Sequence, residues 1–273
     1  MTPLISAQSF MPDLYLKIEY NNPSLSIKHR SIPNQIFSLF RDKIITSKTH
    51  LAILTAGSAG ASVAWAARQI GCDSTVVVPN GTSKNLVRYI RWLGAEVITT
   101  EPSQVMSVIK KFQDDHTCKV VEQLSDPSFI AHYCEIGDEL LKQHSDISAV
   151  TVPAGTAASV MGISRALRKF GIKIYAVEPA EAPVLQGGSW KPHNIPGLAP
   201  PVKTKLFDPK GVDSIISVPS QKSWDTAAAV LGTIGEPIGP SSGAAIAAAQ
   251  QLREEGLSGD IVAICPSQMV TSL

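Results

Sequence analysis

The chain has almost no excess of charge of either sign. Its 273 residues carry 24 basic against 23 acidic side chains, a formal net charge of +1. So even a balance supplies no broad attraction for nucleic acid or for an anionic membrane surface. Cysteine is scarce: Cys72, Cys118, Cys134 and Cys265 lie far apart, with no CxxC pair and no Cys/His ligand spacing. That argues against a disulfide framework and offers no metal site. With no signal-peptide pattern at the start, the four read as reduced thiols of a cytoplasmic protein. Apolar runs are broken by Gly, Pro or charge well short of bilayer-spanning length. Fixed-period repeats and low-complexity tracts are missing too, as are the GxGxxG order of dinucleotide sites and the Gly-Lys-Ser/Thr of a P-loop.

What is present is an alternation of short β-branched runs with helix-patterned segments. "LAIL" at 51–54 precedes "TAGSAG" and an Ala-rich stretch, and "STVVVP" at 74–79 precedes "SKNLVRYIRWLG". In the latter, Leu86, Ile90 and Leu93 mark one helical face. "AEVITT" at 95–100 precedes "SQVMSVIKKFQDD". After a polar break near 123–128, "AVTV" at 149–152 leads into "PAGTAAS" and another helical pattern, and "DIVAICP" closes the series. Strand, Gly-bearing loop and helix in repetition predict an α/β fold with mainly parallel sheets flanked by helices. The length suits two lobes with a ligand cleft between them. Residues 181–211, with four prolines between Pro192 and Pro201, read as a long connection over the site.

Ligands in open α/β sheets gather at the carboxyl ends of strands. Three loops expected there, 55–60, 155–159 and 239–243, are rich in Gly, Ser and Thr. The second runs straight into a helix, so its backbone N–H groups and the hydroxyls of Thr156 and Ser159 form a cradle suited to phosphate. On spacing alone such turns are also common packing devices. Near the start, "NPSLSIKHR" at 22–30 sets Lys28 against His29 and Arg30. Neighbouring positive charge favours a neutral amine, which a lysine needs in order to join the aldehyde of pyridoxal phosphate (PLP). A lysine before arginine is otherwise an ordinary solvated residue.

Taken together, in order along the chain, these segments resemble the cysteine synthase (O-acetylserine sulfhydrylase) branch of the fold-type-II PLP enzymes. "TPLI" at 2–5, "NPSLSIKHR", "TAGSAG", "RYIRWLGAEVITT" at 88–100 and "EQLSDPSFIAHY" at 122–133 each resemble a family segment. So do "AGTAASVMGISRAL" at 154–167, "AVEP" at 176–179, "HNIPGL" at 193–198 and "IGPSSGAAIAAA" at 238–249. The resemblance implies a two-lobe fold like that of the tryptophan synthase β chain. The smaller lobe is expected at 32–133, and the larger at 1–31 plus 134–273.

It further implies that Lys28 carries the cofactor and removes the α-proton, that Gly155, Thr156, Ala157, Ala158 and Ser159 hold the phosphate, and that Ser241 meets the pyridine nitrogen. Ser58 falls where the family has an asparagine against the cofactor. Thr55, Ala56, Gly57 and Ala59 fall in the substrate-carboxylate loop, joined by Gln123 and by Gly197 near the substrate amine. The implied reaction is β-elimination and β-replacement on an O-activated serine by way of an aminoacrylate. Its partners are an amino acid, a small nucleophile and a second copy of the chain.

The departures are Ser58 for asparagine, Ala56 and Ala59 for hydroxyl residues, Ala157 and Ala158 for glycines, and His29 for aspartate. Alanine at 157 and 158 is tolerable where the backbone keeps φ negative. His29 is not expected to act as a general acid, and the four tryptophans read as packing anchors. Two alternatives stand beside this reading. A serine/threonine dehydratase or β-lyase is one, although Ile27 and "GTAAS" differ from the usual phenylalanine and four-glycine loop. A homologue with weakened chemistry that binds a partner or ligand is the other.

Overall fold

The computed structural model describes residues 1–201 and 204–273. β1 (Leu4–Ser6) and β2 (Leu14–Ile18) open the chain as an antiparallel pair. A 3-10 turn at Ile27–Arg30 leads into α1 (Ile32–Arg41), with Pro33 in its first turn, where a missing N–H costs nothing. Strands and helices then alternate: β3 (His50–Leu54), α2 (Ala59–Ile70), β4 (Ser74–Pro79), α3 (Lys84–Trp92), β5 (Glu96–Thr100), α4 (Val105–Gln113) and β6 (Cys118–Val120). After α5 (Ser128–His132) and α6 (Cys134–Gln143) come β7 (Ile147–Pro153), α7 (Ala158–Leu167) and β8 (Lys173–Pro179). The chain finishes with β9 (Ser214–Val218), α8 (Ser220–Ile234), α9 (Pro240–Glu254) and β10 (Asp260–Cys265).

Two compact units result. The smaller comprises Asn22–Gln123 with Val270–Leu273, the larger Met1–Asn21 with Leu124–Met269. The expected boundaries at 32 and 133 differ from these. The turn that bears Lys28 folds with the smaller unit, and α5 folds with the larger.

In the smaller unit a four-stranded sheet runs β5-β4-β3-β6, every pairing parallel. β4 is buried along nearly its whole length, as a central parallel strand covered on both faces must be. α3 shows how local signals suffice here. Ser83 Oγ accepts from Leu86 N at 3.3 Å to cap it, and Leu86, Ile90 and Leu93 are all buried. Each such burial contributes roughly 1.5–3 kcal/mol. α2 presses on this sheet through Gly60, where a Cβ would stand 2.6 Å from Val76.

In the larger unit a six-stranded sheet runs β1-β2-β10-β7-β8-β9, parallel except for the first pair. α9 is buried along most of its length. It is tied to the central strand by Thr151 Oγ1, which donates to Ala245 O at 2.9 Å. α8 approaches α9 so closely that a Cβ on Gly243 would lie 2.0 Å from the Ser223 carbonyl. This unit therefore carries the carboxyl ends of β10, β7 and β8 side by side. Among the described residues no helix is long and apolar enough to cross a membrane.

Candidate functional site

Within the smaller unit, residues 22–30 are knitted by their own side chains. Asn22 Oδ1 accepts from Ser24 N at 3.0 Å and Ser26 N at 3.3 Å, while its Nδ2 donates to Ser26 O at 3.0 Å. This closes a tight loop in which Leu25 sits at φ +51°, a left-handed conformation costly for a branched side chain. Ser26 Oγ then caps the 3-10 turn by accepting from Lys28 N at 3.1 Å.

Lys28 is half-buried, and the withdrawal of its amine from water lowers its pKa from the ordinary 10.5 to about 8. The depression expected from neighbouring positive charge therefore has a different cause. Arg30 acts instead on His29, whose pKa falls to about 4, first through burial and then through that guanidinium. His29 points to Ser24 Oγ, 2.7 Å from its Nδ1, and packs edge-on against Trp65 with ring centroids 4.5 Å apart. It is a neutral, packed imidazole where the family has an aspartate.

The loop after β3 supplies the carboxylate candidates. Thr55 is buried, and its Oγ1 accepts from Gly57 N at 3.0 Å. Both groups assigned to a substrate carboxylate thus hold one another. Ala56 is exposed, whereas Ala59 is buried in the first turn of α2 and offers no polar side-chain atom. Ser58 stands at the N-cap of α2 without capping it, and its Oγ donates to Ser26 Oγ at 2.6 Å. Gln123 follows β6, the strand beside β3, where Val121 N donates to Ala52 O at 2.8 Å. Thr55 and Gln123 therefore leave the same edge of one sheet, as ligand-binding loops of parallel sheets do.

Within the larger unit, the loop after β7 turns sharply into α7. Ala157 is the N-cap of α7 at φ +65°, ψ −1°. The condition of negative φ set for this alanine is not met, and the conformation costs roughly 1–2 kcal/mol relative to the right-handed one. A left-handed residue at this point turns successive N–H groups toward one spot, a backbone nest for an anion. The first N–H groups of a helix have no intrahelical acceptor, and a methyl at the N-cap supplies none. A phosphate meets that need, so these residues fit the cofactor's phosphoryl group.

Gly155 is equally constrained: a Cβ there would stand 2.3 Å from Gly197 O. Gly197, at φ +86°, lies in a strap held by Ala199 N donating to Ala154 O at 3.1 Å. Two indoles fasten that strap, Trp190 Nε1 to Ala199 O at 2.9 Å and Trp224 Nε1 to Asn194 O at 2.6 Å. Buried Ser241 lies in the first turn of α9, 3.2 Å from Ser267 Oγ. Cys265 at the end of β10 is fully enclosed, and burial drives its thiol pKa far above the usual range, which leaves it inert.

Three contributors escape a reading of the sequence. Ser26 joins the lysine turn to Ser58. Ser267 partners Ser241. Buried Thr204 donates to Thr156 O at 2.6 Å and accepts from Leu206 N at 3.2 Å, propping the 155–159 loop from a distant segment. Ser26 and Ser267 lie within or beside segments the resemblance covers, but nothing local marks their partners.

The family model for pyridoxal-phosphate dependent enzymes matches residues 1–267. A cysteine synthase of Staphylococcus aureus strain Mu50 is 30% identical over 280 residues, covering 97% of this chain and 90% of that protein. Among solved structures, a cysteine synthase from Entamoeba histolytica superposes with a TM-score of 0.91 at 28% identity, covering 99% of this chain and 86% of that one. An O-acetylserine dependent cystathionine beta-synthase from Helicobacter pylori gives 0.91 at 26% identity, covering 100% and 94%. With a match to the family model over nearly its whole length and a cysteine synthase at 30% identity, the chain belongs to the PLP-dependent enzymes, in the cysteine synthase branch.

Proposed function

We propose that the protein catalyses β-replacement on an O-acylated serine, exchanging the acyloxy group for a small nucleophile such as sulfide. PLP, held by Lys28 until the substrate amine takes its place and frees the lysine, would supply electron withdrawal from the α-carbon. Residues 155–159 hold its phosphate, Ser241 meets its ring nitrogen, and Ser58 belongs to its surroundings. Thr55 Oγ1, Gly57 N and Gln123 bind the substrate carboxylate, once the bond between Thr55 and Gly57 opens to receive it. Gly197 approaches the substrate amine, where the lack of a side chain leaves room. The Lys28 amine, neutral more readily than an ordinary lysine, takes the α-proton and later returns it. Between those transfers the Cβ–O bond breaks, the carboxylate leaves with its electron pair, and the Cβ–S bond forms. Products are a β-substituted alanine and a carboxylic acid.

The observation that carries this reading is the Ser241–Ser267 pair. A hydroxyl beside a second hydroxyl, unlike a carboxylate, does not hold a ring nitrogen protonated. Charge built up at the α-carbon is then discharged by prompt loss of the β-substituent rather than stored, which favours replacement over transamination or racemisation. The names of the relatives, cysteine synthase and O-acetylserine dependent cystathionine beta-synthase, agree.

The test is to incubate PLP-loaded protein with O-acetylserine, O-phosphoserine, serine or cysteine, each with and without sulfide. Sulfide-dependent loss of O-acetylserine with acetate release supports the proposal. Keto-acid release without a nucleophile would favour the dehydratase or lyase. An unchanged cofactor spectrum with every amino acid would favour the binding homologue. A cytoplasmic homodimer belongs to the same reading, and sedimentation of the purified protein tests the dimer.

A further inference from the structure

We propose that Ser58, acting through Ser26, is a positioning residue that couples recognition of the substrate carboxylate to the Lys28 amine. The inference rests on the reading of Lys28 as the cofactor-bearing lysine, and it concerns a link the resemblance does not supply. A serine at a helix N-cap ordinarily accepts from an N–H of the first turn. Ser58 makes no such bond, and its hydroxyl reaches Ser26 Oγ at 2.6 Å instead. The same Ser26 oxygen accepts from Lys28 N at 3.1 Å. Ser26 therefore receives two donors, one from the helix start and one from the lysine's own backbone. Two bonds separate the 55–58 loop from the residue that bears the amine.

The other end of this chain is poised to move. Thr55 N is fixed to the sheet by Val77 O at 3.0 Å. The Thr55 hydroxyl, by contrast, is engaged inside the loop: it accepts from Gly57 N at 3.0 Å and donates to Gly57 O at 3.4 Å. A carboxylate seeking the Thr55 hydroxyl and the Gly57 N–H must replace both bonds and re-aim the peptide that precedes Ser58. With Thr55 anchored, the shift falls on residues 56–58, and Ser58 transmits it to Ser26. An asparagine at position 58 has a longer, branched amide. The short hydroxyl is suited to its neighbour on the lysine turn.

A double-mutant cycle on the PLP-loaded protein tests this, with acetate as a carboxylate that cannot react. The readouts are the acetate concentration giving half the change in the absorbance band of lysine-linked PLP, and the pH midpoint of that band with and without acetate. Linkage requires that the two readouts agree. Ser58→Ala, Ser26→Ala and the double variant are each expected to weaken the response to acetate by the same factor, roughly three- to tenfold, the scale of one neutral hydrogen bond. Ser58→Thr and Ser26→Thr, which keep the hydroxyl, are expected to match the wild type. All these changes are neutral, so direct attraction between acetate and the lysine is unaltered across the cycle. PLP released by alkali from each variant controls for lost cofactor. Additive effects of the two alanines, or no effect of Ser26→Ala, would overturn the coupling. So would a wild-type band that acetate does not alter, while leaving the proposed function intact. A wild type without any lysine-linked band would overturn both.

Discussion

Apoprotein brought from pH 10 to pH 6 reports directly on the environment of Lys28. With a pKa of about 8, about a tenth of this amine is neutral at pH 7; at 10.5 the neutral fraction is roughly three in ten thousand. Burial thus makes the reactive form about 300 times more abundant. Because only the neutral amine attacks the aldehyde of PLP, the rate of cofactor linkage is expected to rise with pH and level off near 8. Lys28→Ala is expected to show no linkage at any pH. The same shift appears in stability. Folded protein gives up the proton near pH 8 and unfolded chain near 10.5, so between those values the unfolded state binds more protons and stability climbs with pH. The contribution is full above 10.5 and lost as pH falls through 8. Its ceiling is about 3 kcal/mol, reduced because the side chain is partly exposed to solvent. Comparison of apo wild type with Lys28→Met by urea unfolding at pH 7 and pH 10 isolates it, since other groups cancel in the difference. A linkage rate still climbing above pH 10, together with a difference that ignores pH, would refute burial as the cause.

His29 carries the opposite experiment. Its pKa of about 4 against an ordinary 6.5 means that stability is full above 6.5 and lost as pH falls through 4. After allowance for its partial exposure, about 1–2 kcal/mol is expected to vanish across that window in wild type and not in His29→Gln, as read by chemical denaturation. Gly155→Ala sets a methyl against Gly197 O and forces one backbone segment to move. Overpacking of this kind costs roughly 1–3 kcal/mol, and PLP retention after dialysis is expected to fall about tenfold; retention equal to wild type would show that the strap yields freely. Thr204→Val leaves Thr156 O and Leu206 N without the hydroxyl that serves both. At about 0.5–1.5 kcal/mol for each hydrogen bond lost, a loss of roughly 1–3 kcal/mol should appear in thermal unfolding, with Thr204→Ser close to wild type.

The order of strands and helices is written locally. "STVVVP" and "AVTV" are apolar at every position because a central parallel strand is covered on both faces, and α3 announces itself through the spacing of Leu86, Ile90 and Leu93 and through Ser83 at its cap. The chemistry is legible for a related reason. A lysine in a defined loop and small residues before a helix are short-range patterns, and their order along the chain is what marks the family. Three-dimensional packing decided the remainder. Ser26 and Ser58 are 32 residues apart, and Thr156 and Thr204 are 48 apart; no local periodicity records such partners. The φ of Ala157 is imposed by the turn from β7 into α7, although alanine by itself avoids it. Adjacent charges in the sequence suggested a cause for the lowered amine of Lys28, but desolvation depends on what surrounds a group in space, and only the folded chain fixes that.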